Sequence, residues 1–193
     1  MITTIYLARH GETQWNTCKR LQGQLDSQLT VNGIAQATQL AQELKTKPIS
    51  KIFTSPLGRA QHSAAICREI LDCEVVTVDD LQERHFGVWQ GRSFESLRPQ
   101  PNFSAIFEQV TDHAPPQGES AVAAKTRLTR TLQQIAQQHL QQSLLVISHG
   151  DVIRSFVSDL SAQSFCDAYS QFGNGSSLTV IYDSSQQRFI LDI

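Results

Sequence analysis

ITTIYLARHG, residues 2–11, decides how the rest of the chain is read. Residues 2–8 are β-branched and apolar and predict a strand. That strand ends on an adjacent arginine and histidine, Arg9 and His10, and the chain turns at Gly11. A structural histidine is usually embedded in a periodic apolar face. His10 instead falls where a strand stops, which in an open α/β sheet is the edge where ligands bind. The question for the remaining sequence is whether other strands end in the same way.

Strand and helix signals alternate along the chain. LTVNGIAQATQLAQELK (29–45) puts Gly33, Ala37, Leu40, Ala41 and Leu44 at helical spacing, with Thr30 as the cap. KIFTS (51–55) predicts a second strand, and Pro56 suits the first turn of a helix that lines up Ala60, Ala64, Cys67 and Leu71. CEVVTV (73–78) reads as a third strand. Residues 80–118 are polar, aromatic and punctuated by Pro99, Pro101, Pro115 and Pro116, which predicts irregular structure with a short helix near 103–110. A helix from about Glu119 turns Leu128, Leu132, Ile135 and Ala136 inward, and its glutamine pairs form a solvated face. SLLVIS (143–148) has the character of a central strand, followed by a helix from Asp151. TVIYD and RFILDI close the chain as a hairpin turning at Ser184–Gln187. The pattern implies a three-layer α/β/α sandwich with a mostly parallel sheet and an antiparallel component from the hairpin, in one domain over 1–193.

The chain has 193 residues, 40% hydrophobic and 18% charged, with a net charge of −2. That is enough to bury a core, and it supplies no overall field for nucleic acid. The longest apolar runs, such as LLVI at 144–147, are far shorter than a membrane span. The N-terminus lacks the features of a secretory signal, so a soluble cytoplasmic protein is expected. Cys18, Cys67, Cys73 and Cys166 are scattered without CxxC spacing, and Cys67 falls on an apolar helix face as a core residue. His10, His62, His85 and His149 lack close ligand spacing, so no metal site is expected, and His62 and His85 read as surface or structural groups.

The strand ends carry the chemistry. Arg9 and His10 end the first strand; Ser55 ends the second, with Arg59 in the helix turn that follows. LQERHFGVWQG (81–91), with Glu83, follows the third, and His149 and Gly150 follow SLLVIS. Paired guanidiniums offer rigid, permanently charged forks to a tetrahedral dianion. A neutral imidazole is a competent nucleophile toward phosphorus, and neighbouring arginines keep it unprotonated. A second histidine can stabilise a transferring phosphoryl group, and a carboxylic acid can protonate the leaving oxygen and later activate water. Such a site calls for neither metal nor cofactor, because its side chains carry the positive charge.

RHGETQWN (9–16), QGQLDSQLTVNGIAQA (22–37), SPLGRAQHSA (55–64), LQERHFGVWQG (81–91), PQGES (116–120) and VISHGDVIR (146–154) together resemble the histidine phosphatase superfamily, the phosphoglycerate-mutase-like phosphatases. The resemblance covers nearly the whole chain. It implies that His10 is the phosphoacceptor and Glu83 the proton donor, with Arg9, Arg59 and His149 forming the phosphate pocket. It further implies that Asn16 touches phosphate, that Gln22 and Gly23 line the entrance, and that the Gly150 amide contributes. Asp79, Asp80 and Glu12 stay open as other donors, because Glu83 in ERH can also make a local ion pair. Trp15 and Trp89 read as packing anchors beneath the site loops, with Trp89 also able to border the substrate. Ser63 stands where the family often has threonine, and Asp151 where many relatives carry a small or apolar residue.

The implied activity is a metal-independent phosphatase acting on a small phosphorylated metabolite, with 80–118 as the substrate loop. The alternatives are a cofactor-dependent phosphoglycerate mutase and a non-catalytic relative that binds phosphorylated ligands. ERHFGVWQG is close to the mutase form of that motif. Phe86 replaces its tyrosine, however, and 92–118 holds only Arg92 and Arg98, without an adjacent arginine pair. Neither nucleic acid nor membrane is expected as a partner, and the oligomeric state is left open, a homodimer included.

Overall fold

The computed structural model describes residues 1–160 and 172–192. Cys166 lies outside the described residues. Six strands form one sheet: β1 (Ile2–Arg9), β2 (Ile49–Thr54), β3 (Val75–Thr77), β4 (Ser143–Ser148), β5 (Ser177–Asp183) and β6 (Arg188–Asp192). Their order is β3-β2-β4-β1-β5-β6. The first four pair in parallel, and β5 and β6 add the antiparallel hairpin at the β1 edge.

Register places the site. Arg9 lies opposite Ser148, and Thr54 opposite Ile147. The carboxyl ends of three strands are therefore level, and the next residues, His10, Ser55 and His149, emerge side by side. The His10 and Ser55 amides still donate to Ser148 and Ile147, at 3.1 and 3.0 Å, so these side chains sit on backbone held by the sheet.

Helices α2 (Val31–Leu44) and α3 (Gly58–Leu71) cover one face, packing on Ala8, Ile52, Leu145 and Ile147. Helices α6 (Ala121–Gln138) and α7 (Gly150–Val157) cover the other, on Ile5, Leu7, Leu144 and Val146. The two-residue alternation in β1 and β4 serves both layers, which is why a strand buried on both sides reads as an unbroken apolar run. The three-layer sandwich is thus as expected. In α2 the buried set is the expected Gly33, Ala37, Leu40, Ala41 and Leu44, and the Thr30 hydroxyl accepts the Gly33 amide at 3.0 Å as N-cap. Gly33 also meets the turn after His10 backbone to backbone: a Cβ on Gly33 would stand 2.0 Å from the Glu12 carbonyl oxygen, and one on Gly11 2.2 Å from that of Gly33. No other residue fits that pair, so the start of α2 buttresses the histidine turn.

Several boundaries differ from expectation. Pro56 precedes the α3 cap, Leu57, instead of entering the first turn. The third strand keeps only Val75–Thr77 of 73–78, as an edge strand paired on one side. Helix α6 starts two residues after Glu119, because Ser120 caps it by accepting the Ala123 amide. Helix α7 begins one residue before Asp151.

The 80–118 segment is more ordered than its prolines suggest. It holds α4 (Phe94–Leu97) and α5 (Phe103–Phe107), the latter shorter than the 103–110 helix expected. A small apolar core of its own, centred on Leu21, Phe86, Trp89, Leu97, Ile106 and Phe107, fastens it to the sandwich. The segment after β1 also carries α1 (Gln14–Thr17), a single turn. Among the described residues no helix is long and apolar enough to cross a membrane.

Candidate active site

A cleft of about 560 Å³ opens over the carboxyl ends of the strands. Arg9, His10, Arg59 and Glu83 line it, as do Asn16, Gln22, Gly23 and Gly150. His149 lies just behind, fully buried, its ring centroid 5.1 Å from that of His10. The sequence-predicted residues are therefore brought together, with His149 beneath the floor.

The His10 ring is oriented by two contacts. Its Nδ1 lies 2.7 Å from the Gly11 carbonyl oxygen, which can only accept, so Nδ1 carries the proton. The lone pair is then on Nε2, where the Arg59 Nε–H donates to it at 3.1 Å. Burial, then the charges of Arg59 and Arg9, hold His10 well below the usual imidazole pKa. The ring is neutral, with its free electron pair turned toward the guanidinium.

Arg59 is itself pinned. One terminal nitrogen donates to Leu25 O and Asp26 Oδ1 at 2.8 and 3.0 Å, and the other to Gly23 O at 2.7 Å. This explains the QGQLD loop chemically: its carbonyls and one carboxylate fix a guanidinium that is only 2% exposed. Arg9 donates to Phe172 O at 3.2 Å. Gly150 lies against the Arg9 guanidinium so closely that a Cβ there would stand 3.0 Å from both Cζ and Nε.

The contacts of His149 favour the opposite tautomer. Its Nε2 lies 2.7 Å from the Ser55 hydroxyl, whose oxygen also takes the Leu57 amide at 3.3 Å. Among the described residues Nε2 is the one acceptor hydrogen-bonded to the Ser55 hydroxyl, an arrangement that favours the His149 proton on Nδ1, a buried atom without a hydrogen-bond partner there. Burial, then Arg59, His10, Arg9 and Arg127, depress the His149 pKa. A neutral imidazole with an unspent N–H is a preset donor for an anion.

Glu83 sits under the first turn of α7. Its Oε2 accepts the Asp151 amide at 3.1 Å, and its Oε1 accepts the amides of Val152 and Arg84 at 3.0 and 2.8 Å. Burial and the Asp151 carboxylate push its pKa up, against the pull of those amides and Arg59. The net direction is upward, toward the range a proton donor needs. The local ion pair that ERH offered is not made: Arg84 gives Glu83 only its backbone amide. Its side chain instead reaches Glu119 O, Ile106 O and His113 O at 2.8, 2.7 and 3.2 Å. Of the other candidate donors, Glu12 accepts from the Thr30 hydroxyl at 2.7 Å and Asp80 pairs with Arg130 at 3.4 Å. Neither these two nor Asp79 lines the cleft.

Asp151 is not a loose charge beside the phosphate pocket. It is 3% exposed and bridges Arg154 at 2.9 Å and Arg84 at 3.5 Å. Asn16 closes a capping box on α1, its Oδ1 accepting the Thr13 amide at 3.0 Å, which leaves its amide end to offer an anion. Gln22 turns its amide onto Thr13 and Ser27 at 2.9 and 3.1 Å, holding the entrance loop more than facing the cleft. Trp89 is core, 2% exposed, while Trp15 lines the cleft with Arg20 over its ring at 5.4 Å.

Sequence reasoning missed Asn174, which also lines the cleft and donates to His10 O and Asn16 Oδ1 at 3.2 and 3.3 Å. Its signal is the asparagine between two glycines in FGNG, just before a strand that pairs with β1.

The fold and site define a phosphoryl-transfer architecture, and comparison with known proteins gives the family. The profile of the histidine phosphatase superfamily (branch 1) matches residues 5–191. The chain belongs to that superfamily. It is 37% identical over 156 residues to a protein of Serratia proteamaculans named "Probable phosphoglycerate mutase GpmB", covering 80% of this chain and 73% of that one. It is 38% identical over 160 residues to an Arabidopsis thaliana protein named "Metal-independent phosphoserine phosphatase", covering 80% and 67%. The solved structure of Bacillus stearothermophilus YhfR superposes with a TM-score of 0.88 at 28% identity, covering 99% of this chain and 96% of that one.

Proposed function

We propose that the protein is a phosphatase that hydrolyses a small phosphomonoester through a phosphohistidine on His10, without a metal. The observation that carries this reading is the His10 ring: neutral, with Nδ1–H fixed on Gly11 O and the Nε2 lone pair facing the cleft side of Arg59. In the first step Nε2 attacks phosphorus and the P–O bond to the leaving alkoxide breaks. Glu83 gives its proton to that oxygen, so the alcohol departs neutral. In the second step Glu83, now a carboxylate, takes a proton from water, whose oxygen attacks phosphorus. The P–N bond breaks and inorganic phosphate leaves. Arg9 and Arg59 neutralise the phosphoryl oxygens in both steps, and the His149 Nδ1–H donates to one of them.

A mutase is the second reading, favoured by the name of the Serratia relative. In that reading the phosphoryl group returns from His10 to a phosphoglycerate instead of to water. The leading reading is supported by a 92–118 segment with only two arginines and no adjacent pair, Arg92 half-buried and Arg98 exposed. Incubation with 2- and 3-phosphoglycerate separates the two: a phosphatase releases inorganic phosphate, whereas interconversion without net release overturns the reading. His10→Ala abolishes turnover in either case, with its circular dichroism spectrum unchanged.

A further inference from the structure

The cleft is much larger than a phosphoryl group, and its outer part has a definite character. About 560 Å³ falls within the range of pockets that enclose a drug-sized molecule. Beyond Glu83 it is walled by Phe86, Phe94, Phe103, Phe107 and Trp15. The Phe103 and Phe107 rings lie almost parallel, 10° apart with centroids at 5.7 Å, and Phe94 meets Phe107 edge-on at 4.8 Å.

The wall is fixed relative to the acid. Phe86 is three residues after Glu83 and 1% exposed. The side chain of Arg84, next to Glu83, donates to Ile106 O within α5 at 2.7 Å, so the helix bearing Phe103 and Phe107 is tied to the donor segment. The alcohol oxygen that receives the Glu83 proton therefore brings its substituent to this wall. Lys19, Arg20 and Arg98 also line the cleft, but all three are exposed. Arg20 is already committed to Gly91 O at 2.6 Å and to the Trp15 face. Exposed charges are screened and hold a second anion weakly, whereas a sheltered aromatic face gains from every apolar surface it covers.

We propose that the substrates are phosphomonoesters of alcohols carrying an apolar ring, seated between Glu83 and the Phe103–Phe107 face. This rests on the phosphatase reading of the same site and adds the class of the leaving group. His10 Nε2 bonds to phosphorus, the ester P–O bond breaks, and the ring-bearing alcohol leaves with the Glu83 proton.

The test uses esters of alkanols, so that the intrinsic reactivity of the leaving group does not decide the outcome. Phosphate release from 2-phenylethyl phosphate, phosphoserine and 3-phosphoglycerate is measured side by side with the full chain. The expected result is a kcat/KM for 2-phenylethyl phosphate higher by at least about tenfold, of the size by which apolar pockets discriminate. Phe103→Leu, which keeps apolar bulk but removes the flat face, is expected to lower that ratio about three- to tenfold, mainly through KM. Preference for either carboxylate-bearing ester overturns the ring proposal and leaves the phosphatase intact. A ratio unmoved by Phe103→Leu also overturns it. Absence of phosphate release from all three overturns the phosphatase reading itself.

Discussion

Ser55→Ala removes one oxygen from a residue that is fully buried, and its effect is calculable from the geometry. The hydroxyl makes a 2.7 Å hydrogen bond to His149 Nε2, among the described residues the one hydrogen bond that bears on which ring nitrogen holds the proton. Without it Nε2 is left buried and unpaired, which costs about 1–3 kcal/mol. The Nδ1–H that the proposed mechanism uses is then neither oriented nor guaranteed. If that loss falls on the transition state, where phosphoryl charge is redistributed, kcat drops by roughly 5- to 150-fold. KM changes less, because the two arginines remain. Steady-state hydrolysis of an aryl phosphate measures the drop. Nitrogen-15 NMR of labelled histidine gives an independent readout, with the His149 proton on Nδ1 in the wild type and that state lost in the variant. A kcat within about twofold of wild type, or a wild-type His149 protonated on Nε2, refutes the argument.

Other expectations follow from the same contacts. His10 and His149 both have depressed pKa values in the folded protein, so stability is full above the unfolded value of 6.5 and is lost as pH falls below it. Each histidine contributes up to about 1.4 kcal/mol per pH unit there, and Tm measured from pH 8 to pH 5 falls less steeply in His10→Asn. Asp151→Asn removes a charge that adds to burial in raising the Glu83 pKa, so the alkaline limb of kcat/KM, where the acid loses its proton, moves to lower pH. An unmoved limb shows that Glu83 is not the group titrating. Gly150→Ala sets a methyl 3.0 Å from the Arg9 guanidinium and pushes it aside. Inhibition by inorganic phosphate then weakens by about tenfold, as for loss of one well-placed charged hydrogen bond.

Much of this was legible in the sequence because it rests on local rules. The 3.6-residue spacing of α2 and its Thr30 cap, and the apolar run of β4, depend on neighbours in the chain, and the structure keeps them. The convergence of Arg9, Ser55, Arg59 and His149 was legible because parallel strands share one carboxyl edge. What escaped depends on distant partners. The Asp151–Arg154 pair is at helical spacing and open to view, but the approach of Arg84, 67 residues away, is a product of the fold. The prolines of 80–118 hid α4 and blurred the end of α5, because the stability of these short helices comes from a shared aromatic core and not from propensity. Asn174 could be placed only once β5 was known to lie against β1.

The central claim is covalent chemistry at His10. Single-turnover reactions quenched in alkali, which preserves phosphohistidine, and digested for mass spectrometry test it directly. The account predicts one acid-labile phosphoryl group on the peptide containing His10, formed as fast as the alcohol is released and absent in His10→Ala. Alcohol and phosphate released together with no such adduct, or the phosphoryl group found on another residue, would contradict it.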